Sequence, residues 1–426
     1  MKKRLFTLWL FISSLTYAQQ PFDPAAHSSF ETQRADGRFT SSRAVVHQLM
    51  KQEEPLLTFR PSLSPTEFPV WQHQVKEAMQ TLMKHPVLSN LPEPVCVDVR
   101  QRKGYRIEKW EAYPLPACVV PYLVLIPDGV EPSRPVPAVL CIPGWGGTKE
   151  ELAGEPEGAW ILPDTTIASV SRNAMALLYV RQGWVAVAVD NPGSGEAADL
   201  ETIAGQGSYD YQTLARGLLE LNWSYLGYAS YIDRHILEWM KKQPVMQKER
   251  LIISGFSFGT EMLMALGNLD SSIYAFVYND FLCRTRERAL VMTWPDEQGR
   301  RPWPNDISHL IPGFLRQFDF PDLVAALAPR AVICTEGGLD RDFRLIEQAY
   351  SLAGKPENFT YYHYEAFAEP EKREDRQTLP AGIDRDTYFR MVNVDPKNHY
   401  FKAVYVLPWI RKITGVENKA GLKENK

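Results

Sequence analysis

The chain has 426 residues, of which 45% are hydrophobic and 23% charged, and a formal net charge of −4. It is long enough to bury a large core, and the absence of a long basic run excludes a nucleic-acid footprint. Its five cysteines (Cys96, Cys118, Cys141, Cys283 and Cys334) cannot all pair within one chain. None forms a C-x-x-C, so a zinc or thioredoxin-like site finds no support; a Cys96–Cys118 disulfide is conceivable, but their spacing does not establish it.

In chain order, Lys2, Lys3 and Arg4 precede a short apolar stretch, Leu5 to Leu15, and then Thr16-Tyr17-Ala18. This pattern is that of a signal peptide over 1–18, too short for a bilayer-spanning helix. No cysteine follows the cut, so the expectation is an exported, periplasmic or extracellular protein without a membrane anchor. Residues 19–92 read as a helical extension, with "FPVWQHQVKEAMQTLMKHP" apolar at helical spacing and closed by a proline. From 93 the pattern changes. "YRIEKWEAYPL" and "VVPYLVLIP" read as strands, and strands and helices then alternate through "AVLCI", "VAVAV", "RLIISG", "IYAFVYND" and "RAVICTEGG". A last helix starts near Tyr400, and 416–426 is a polar tail. Strands followed by β-α alternation imply an α/β fold with a mostly parallel central sheet and helices on both faces. No boundary interrupts 93–415, which is therefore expected to be one catalytic domain.

The stretch "LIISGFSFGTEMLMALG" (251–267) places Ser257 between Gly255 and Gly259, after a strand and before a helix. A serine hydroxyl is a poor nucleophile without a base. A sharp strand-to-helix turn exposes it, and such a turn tolerates little bulk on either side. It also sets the Phe258 N–H at a helix start, where unpaired donors and the dipole favour a developing oxyanion. A second donor is expected from the glycine-rich loop of "AVLCIPGWGGTKE", at the Trp145 N–H.

In this architecture the base and acid follow the serine in the order acid, then histidine. Of eight histidines, His27, His47, His73, His85 and His235 precede Ser257, and His309 precedes the best acid. His363 lies within strand-like "FTYYHYEAF" and reads as a packed core residue. His399, in the loop "NVDPKNHYFKAV", is the preferred base. The acid should follow "RAVICTE". Asp340, three residues beyond Gly337, is preferred; Glu336 is the runner-up, Asp342 a further candidate and Asp280 an outsider.

A competing pattern, Gly193-x-Gly195-x-x-Ala198, loosely matches a dinucleotide fingerprint. Asp190 ends the preceding strand and no helix pattern follows, so a structural turn is expected, with Asp190 and Glu196 holding loops. No H-E-x-x-H, calcium-loop or Walker pattern occurs, so neither a metal nor another cofactor is implied.

With these residues placed, the chain resembles the α/β-hydrolase superfamily, and within it the exported, dienelactone-hydrolase-like branch that includes acetyl xylan esterases. The resemblance covers 93–415 and extends to the helical extension too, and it rests on "LCIPGWGGTKEELAGE", "VAVAVDNPGSGEA", "SGFSFGTE", "YNDFLCRTRERA", "LAPRAVICTEGGLDRDF" and "MVNVDPKNHYFK". It implies Ser257 as nucleophile, Asp340 as acid and His399 as base. Many relatives carry His-Gly where this chain has Pro143-Gly144, which leaves the backbone donor but alters the loop. The implied function is a secreted serine esterase removing acyl groups, acetyl first, from an acylated oligosaccharide or polysaccharide. Aromatic and basic loops over 281–318 are expected either to shape the cleft or to pack as an ordinary cap. Alternatives are a serine peptidase or a uronate or lactone esterase with the same three residues. A carbohydrate-binding protein without catalysis is the alternative of another class. Oligomeric state is not legible.

Overall fold

In the computed structural model, residues 31–32, 34–155, 172–199, 211–292 and 304–415 are described; the expected signal peptide and the polar tail fall outside them. Two compact units divide the chain, Met1–Gln52 and Glu53–Lys426. The first contains one described helix, α1 (Ser42–Gln52). The segment expected to be a single extension over 19–92 is therefore split. Its second helix, α2 (Glu67–Met83), belongs to the larger unit and buries Phe68, Trp71, Val75, Met79 and Met83 in that unit's core.

Among the described residues, the larger unit is built on nine strands: β1 (Val95–Arg102), β2 (Tyr105–Ala112), β3 (Val120–Pro127), β4 (Val136–Ile142), β5 (Val185–Val189), β6 (Met246–Phe256), β7 (Ala275–Asn279), β8 (Ala331–Cys334) and β9 (Phe359–Tyr361). They lie in the order β1-β2-β3-β5-β4-β6-β7-β8-β9. The first three pair antiparallel, β3 meets β5 antiparallel, and every later pair is parallel. This is the mostly parallel sheet that the strand-helix alternation implies. "FTYYHYEAF" is shorter as a strand than its pattern suggests: pairing stops at Tyr361, so His363 stands in the loop beyond it.

Central strands read as unbroken apolar runs because both faces are covered. In β4, Ala138, Leu140 and Ile142 enter one core, and Val139 and Cys141 enter the other. The first core is closed by α2 and by helices Tyr225–Met240 and Gly259–Leu269; the second by Met175–Val180 and Ala403–Thr414. No helix of the described residues is long and apolar enough to cross a membrane. All five cysteines are free, Cys96 and Cys118 included.

Strand order reverses at β4, whose neighbours are β5 on one side and β6 on the other. A crevice opens at the carboxyl ends of strands at such a switch point. The loops after β4 and β5 are tied together there by a buried cation. Lys149 is 0% exposed. Its N–H donates to Asp190 Oδ1 (2.7 Å), and its Nζ lies 2.8 Å from Asp190, 2.9 Å from Glu150 and 2.7 Å from Glu196. Asp190 and Glu196 thus hold loops, and the Gly193–Ala198 stretch is a turn with a short 3-10 segment at Gly195–Ala197. Removing the ammonium would leave the buried Asp190 carboxylate without a countercharge, with the residue-149 N–H as its remaining partner in the cluster. Lys149→Met is expected to lower unfolding free energy by about 3–5 kcal/mol, measured by urea denaturation; a change under about 1 kcal/mol would contradict this role for the cluster.

Candidate active site

Ser257 directly follows β6 and has φ +50°, a left-handed conformation rarely adopted by residues other than glycine. The turn is tight enough to exclude side chains beside it. A Cβ on Gly255 would lie 2.6 Å from Gly259 O, and one on Gly259 would press on Ile142 O and lie 2.7 Å from Pro143 O. The two glycines therefore let the helix start against the end of β4. Ser257 N–H donates to Asn279 O at the end of β7 (2.9 Å).

The loop after β4 is fixed from behind. Asn191 Nδ2 donates to Gly144 O (2.7 Å) and Pro143 O (3.3 Å), and Ser194 Oγ donates to Gly147 O (2.9 Å). Among the described residues, neither the Trp145 N–H nor the Phe258 N–H finds an acceptor. Ser257, Phe258, Trp145 and His399 line one cavity of about 360 Å³, within the range of about 300–1,000 Å³ usual for small-ligand pockets. The Trp145 indole is 41% exposed and stacks on His309, with ring centroids 5.4 Å apart and planes at 4°.

His399 follows a 3-10 turn at Pro396–Asn398 and stacks on Phe256, the residue before Ser257, at 4.8 Å. Its Nδ1 is hydrogen-bonded to Glu336 Oε2. With a carboxylate accepting there, Nδ1 carries the proton and Nε2 keeps its lone pair. Glu336 is fully buried and also accepts from Tyr364 OH (3.0 Å) and the Tyr400 N–H (3.1 Å), with Lys402 Nζ 3.2 Å away. The histidine's partner is therefore Glu336, which corrects the expectation for Asp340. The reason is local. Glu336 stands two residues beyond β8, before the chain turns away through Gly337 (φ +70°) and Gly338 (φ +144°). Asp340 comes after that turn and opens helix Asp340–Leu352. Its oxygens lie 2.9 Å from His363 Nε2 and 3.2 Å from Arg373 Nε. His363 is buried there, as a packed histidine should be. Asp342 is likewise engaged elsewhere, with Arg284 at 2.7 Å.

Two further residues complete the surroundings. Asn279 accepts from Ser257 N–H through its carbonyl and from Lys402 N–H through Oδ1 (2.7 Å), and its Nδ2 donates to Tyr400 O (3.2 Å). It joins the serine turn to the histidine loop; an asparagine ending an apolar strand is the only trace of it in the sequence. Asp280 lies beside the pair. Its carboxyl is pushed up to about 7, mainly by burial; the His399 charge opposes this and Glu336 adds to it. Asp280, Glu336 and His399 bring potential ligand atoms within 4.8 Å of one another. The Lys402 ammonium already sits against Glu336, so this donor set is poorly matched to a metal cation.

The sequence profile of the Abhydrolase family matches residues 21–412. The chain belongs to this family. The α/β-hydrolase is 54% identical to a Bacteroides fragilis protein of solved structure, provisionally described as an acetyl xylan esterase, with a TM-score of 0.86 over 92% of this chain and 100% of that one. A glucuronoyl esterase from Solibacter usitatus is 13% identical with a TM-score of 0.49, covering 71% of this chain and 88% of its own. An acetyl xylan esterase from Paenibacillus sp. R4 is 14% identical with a TM-score of 0.43, covering 76% and 94%. No curated protein matches the chain.

Burial alone would lower the His399 imidazole, and it is the largest influence. The Glu336 hydrogen bond and charge, with Asp280, outweigh it and hold the group above its ordinary 6.5. In an NMR titration of this hydrolase, His399 should therefore titrate above 6.5. Glu336→Gln should move its midpoint down, while Asp340→Asn should leave it in place. The reverse pattern would restore Asp340 as the partner.

Proposed function

We propose that this α/β-hydrolase is a serine carbohydrate esterase that removes acyl groups, acetyl first, from an acylated oligosaccharide or polysaccharide through an acyl-enzyme. The observation that carries the reading is that His399, hydrogen-bonded to the buried Glu336, lines the same cavity as Ser257. The hydroxyl of Ser257 attacks the ester carbonyl and its proton passes to His399 Nε2. The resulting oxyanion is held by the Phe258 and Trp145 N–H groups, both without an acceptor among the described residues. Collapse breaks the ester C–O bond, and His399 returns the proton to the departing sugar hydroxyl. Water then attacks the acyl-enzyme with His399 again as base and regenerates Ser257. Glu336 holds the imidazole in the required tautomer. The 54% identity to the Bacteroides fragilis protein supports an acetylated sugar as substrate, and the exposed Trp145 ring offers a flat apolar surface for one. The basic and apolar residues of 2–15 support export.

Ser257→Ala should lower kcat on an activated acetate ester by about 10⁴ or more and abolish stoichiometric labelling by a fluorophosphonate; near-normal turnover would rule out Ser257 as nucleophile. The acid limb of kcat/KM should follow His399. A base held above its ordinary value is protonated sooner, so activity is lost as pH falls through a midpoint above 6.5.

A further inference from the structure

The cavity at Ser257 also carries charge that the acyl-transfer chemistry does not use. Three of its acidic groups are already engaged: Glu261 with His309 Nδ1 (2.7 Å), Asp306 with the Ser308 N–H (3.1 Å), and Asp280 beside His399. Two guanidiniums in the same lining, Arg288 and Arg385, have no carboxylate within ion-pair distance among the described residues. Arg288 Nε is buried without a hydrogen-bond partner, and among the described residues the side chain's hydrogen bond, from Nη2 to Pro304 O, is long at 3.3 Å.

Both side chains are held in position. Arg288 sits on helix Thr285–Val291 with its Cζ 5.9 Å from the rings of Phe281, Tyr388 and Phe389. Arg385 opens helix Arg385–Met391, with its Cζ 5.2 Å from the Phe389 ring. Backbone bonds from Gly382 N–H and Ile383 N–H to Val291 O (3.0 and 3.1 Å) join the two segments. Aromatic faces orient guanidinium planes and leave their N–H edges for a planar acceptor. A buried Nε–H without a partner costs stability unless a ligand supplies one.

The geometry points to an anion subsite for a carboxylate, formed by Arg288 and Arg385 in the cavity that holds Ser257. This rests on the esterase reading and deepens it: the substrate is an O-acylated oligosaccharide carrying a free uronate carboxylate near the acylated sugar. The carboxylate accepts charge-assisted hydrogen bonds from the two guanidiniums and so positions the ester over Ser257.

The test compares KM on two acetylated substrates, a uronate-containing oligosaccharide and a neutral xylo-oligosaccharide. Wild type should favour the uronate, and Arg385→Ala and Arg288→Met should each reduce that preference about tenfold, mainly through KM. Arg385 is exposed, so its variant keeps the test valid if Arg288→Met fails to fold. Direct binding separates this idea from the esterase reading. Ser257→Ala protein should bind a non-acylated oligogalacturonate, and adding Arg385→Ala should weaken that binding to a similar degree. Such binding without turnover of any acyl ester would sink the esterase reading and leave the subsite standing. Turnover without preference for the uronate, or a preference that both arginine variants retain, overturns the subsite. A preference shown only for neutral sugars bearing a carboxylated acyl chain, such as a hemisuccinate, would also overturn it.

Discussion

Everything at the cavity depends on one buried carboxylate. Glu336 has no exposed side-chain surface, and both oxygens are engaged by groups from the loop after β9 and the loop before the last helix. A buried carboxylate is tolerated only with such compensation. Tyr364, His399, Tyr400 and Lys402 are therefore drawn to one point at the end of the sheet. The histidine is brought to the cavity by the requirement that Glu336 be satisfied. The two parts are interdependent: without the His399 loop, Glu336 would be stranded, and without Glu336 the ring would lose the bond that sets its tautomer.

The sheet and the serine turn were legible because their signals are local. Apolar runs of strand length, glycines at fixed offsets and a helical pattern restarting at once all follow from backbone geometry over a few residues. His399 could be reached by elimination and by its place in a loop. The acid could not. Glu336 and Asp340 are four residues apart, and which one faces the histidine depends on how the chain leaves β8. Gly337 and Gly338 sit between them and turn it away, sending Asp340 to His363 and Arg373. Spacing counts residues, whereas the outcome is set by two backbone angles. The first half of the chain taught a related lesson. A helical pattern over 67–83 says that a face is apolar but not which partner covers it, and the partner is the core of the larger unit. Asn279 was missed for another reason: its side chain acts on loops far along the chain, at Tyr400 and Lys402, and leaves no periodic mark.

The charges of the cavity divide in the same way. His309 in the lining, and Lys149 and Lys402 behind it, are each committed to carboxylates and serve to hold loops or rings. Among the described residues, Arg288 and Arg385 meet aromatic faces and one distant carbonyl. The division follows burial and reach. Lys149 and Lys402 meet acids that follow strand ends, Asp190 after β5 and Glu336 after β8, whereas the arginines on the two tied helices line the cavity.

Asn279 gives the assembly a mechanical property. One residue at the end of β7 holds the serine turn with its main chain and the histidine loop with its side chain. Displacement of that strand end carries Ser257 and His399 with it, so small deformations of the sheet are largely common-mode for the pair. Heating should therefore leave their alignment intact until the sheet itself gives way, and inactivation should coincide with global melting instead of preceding it.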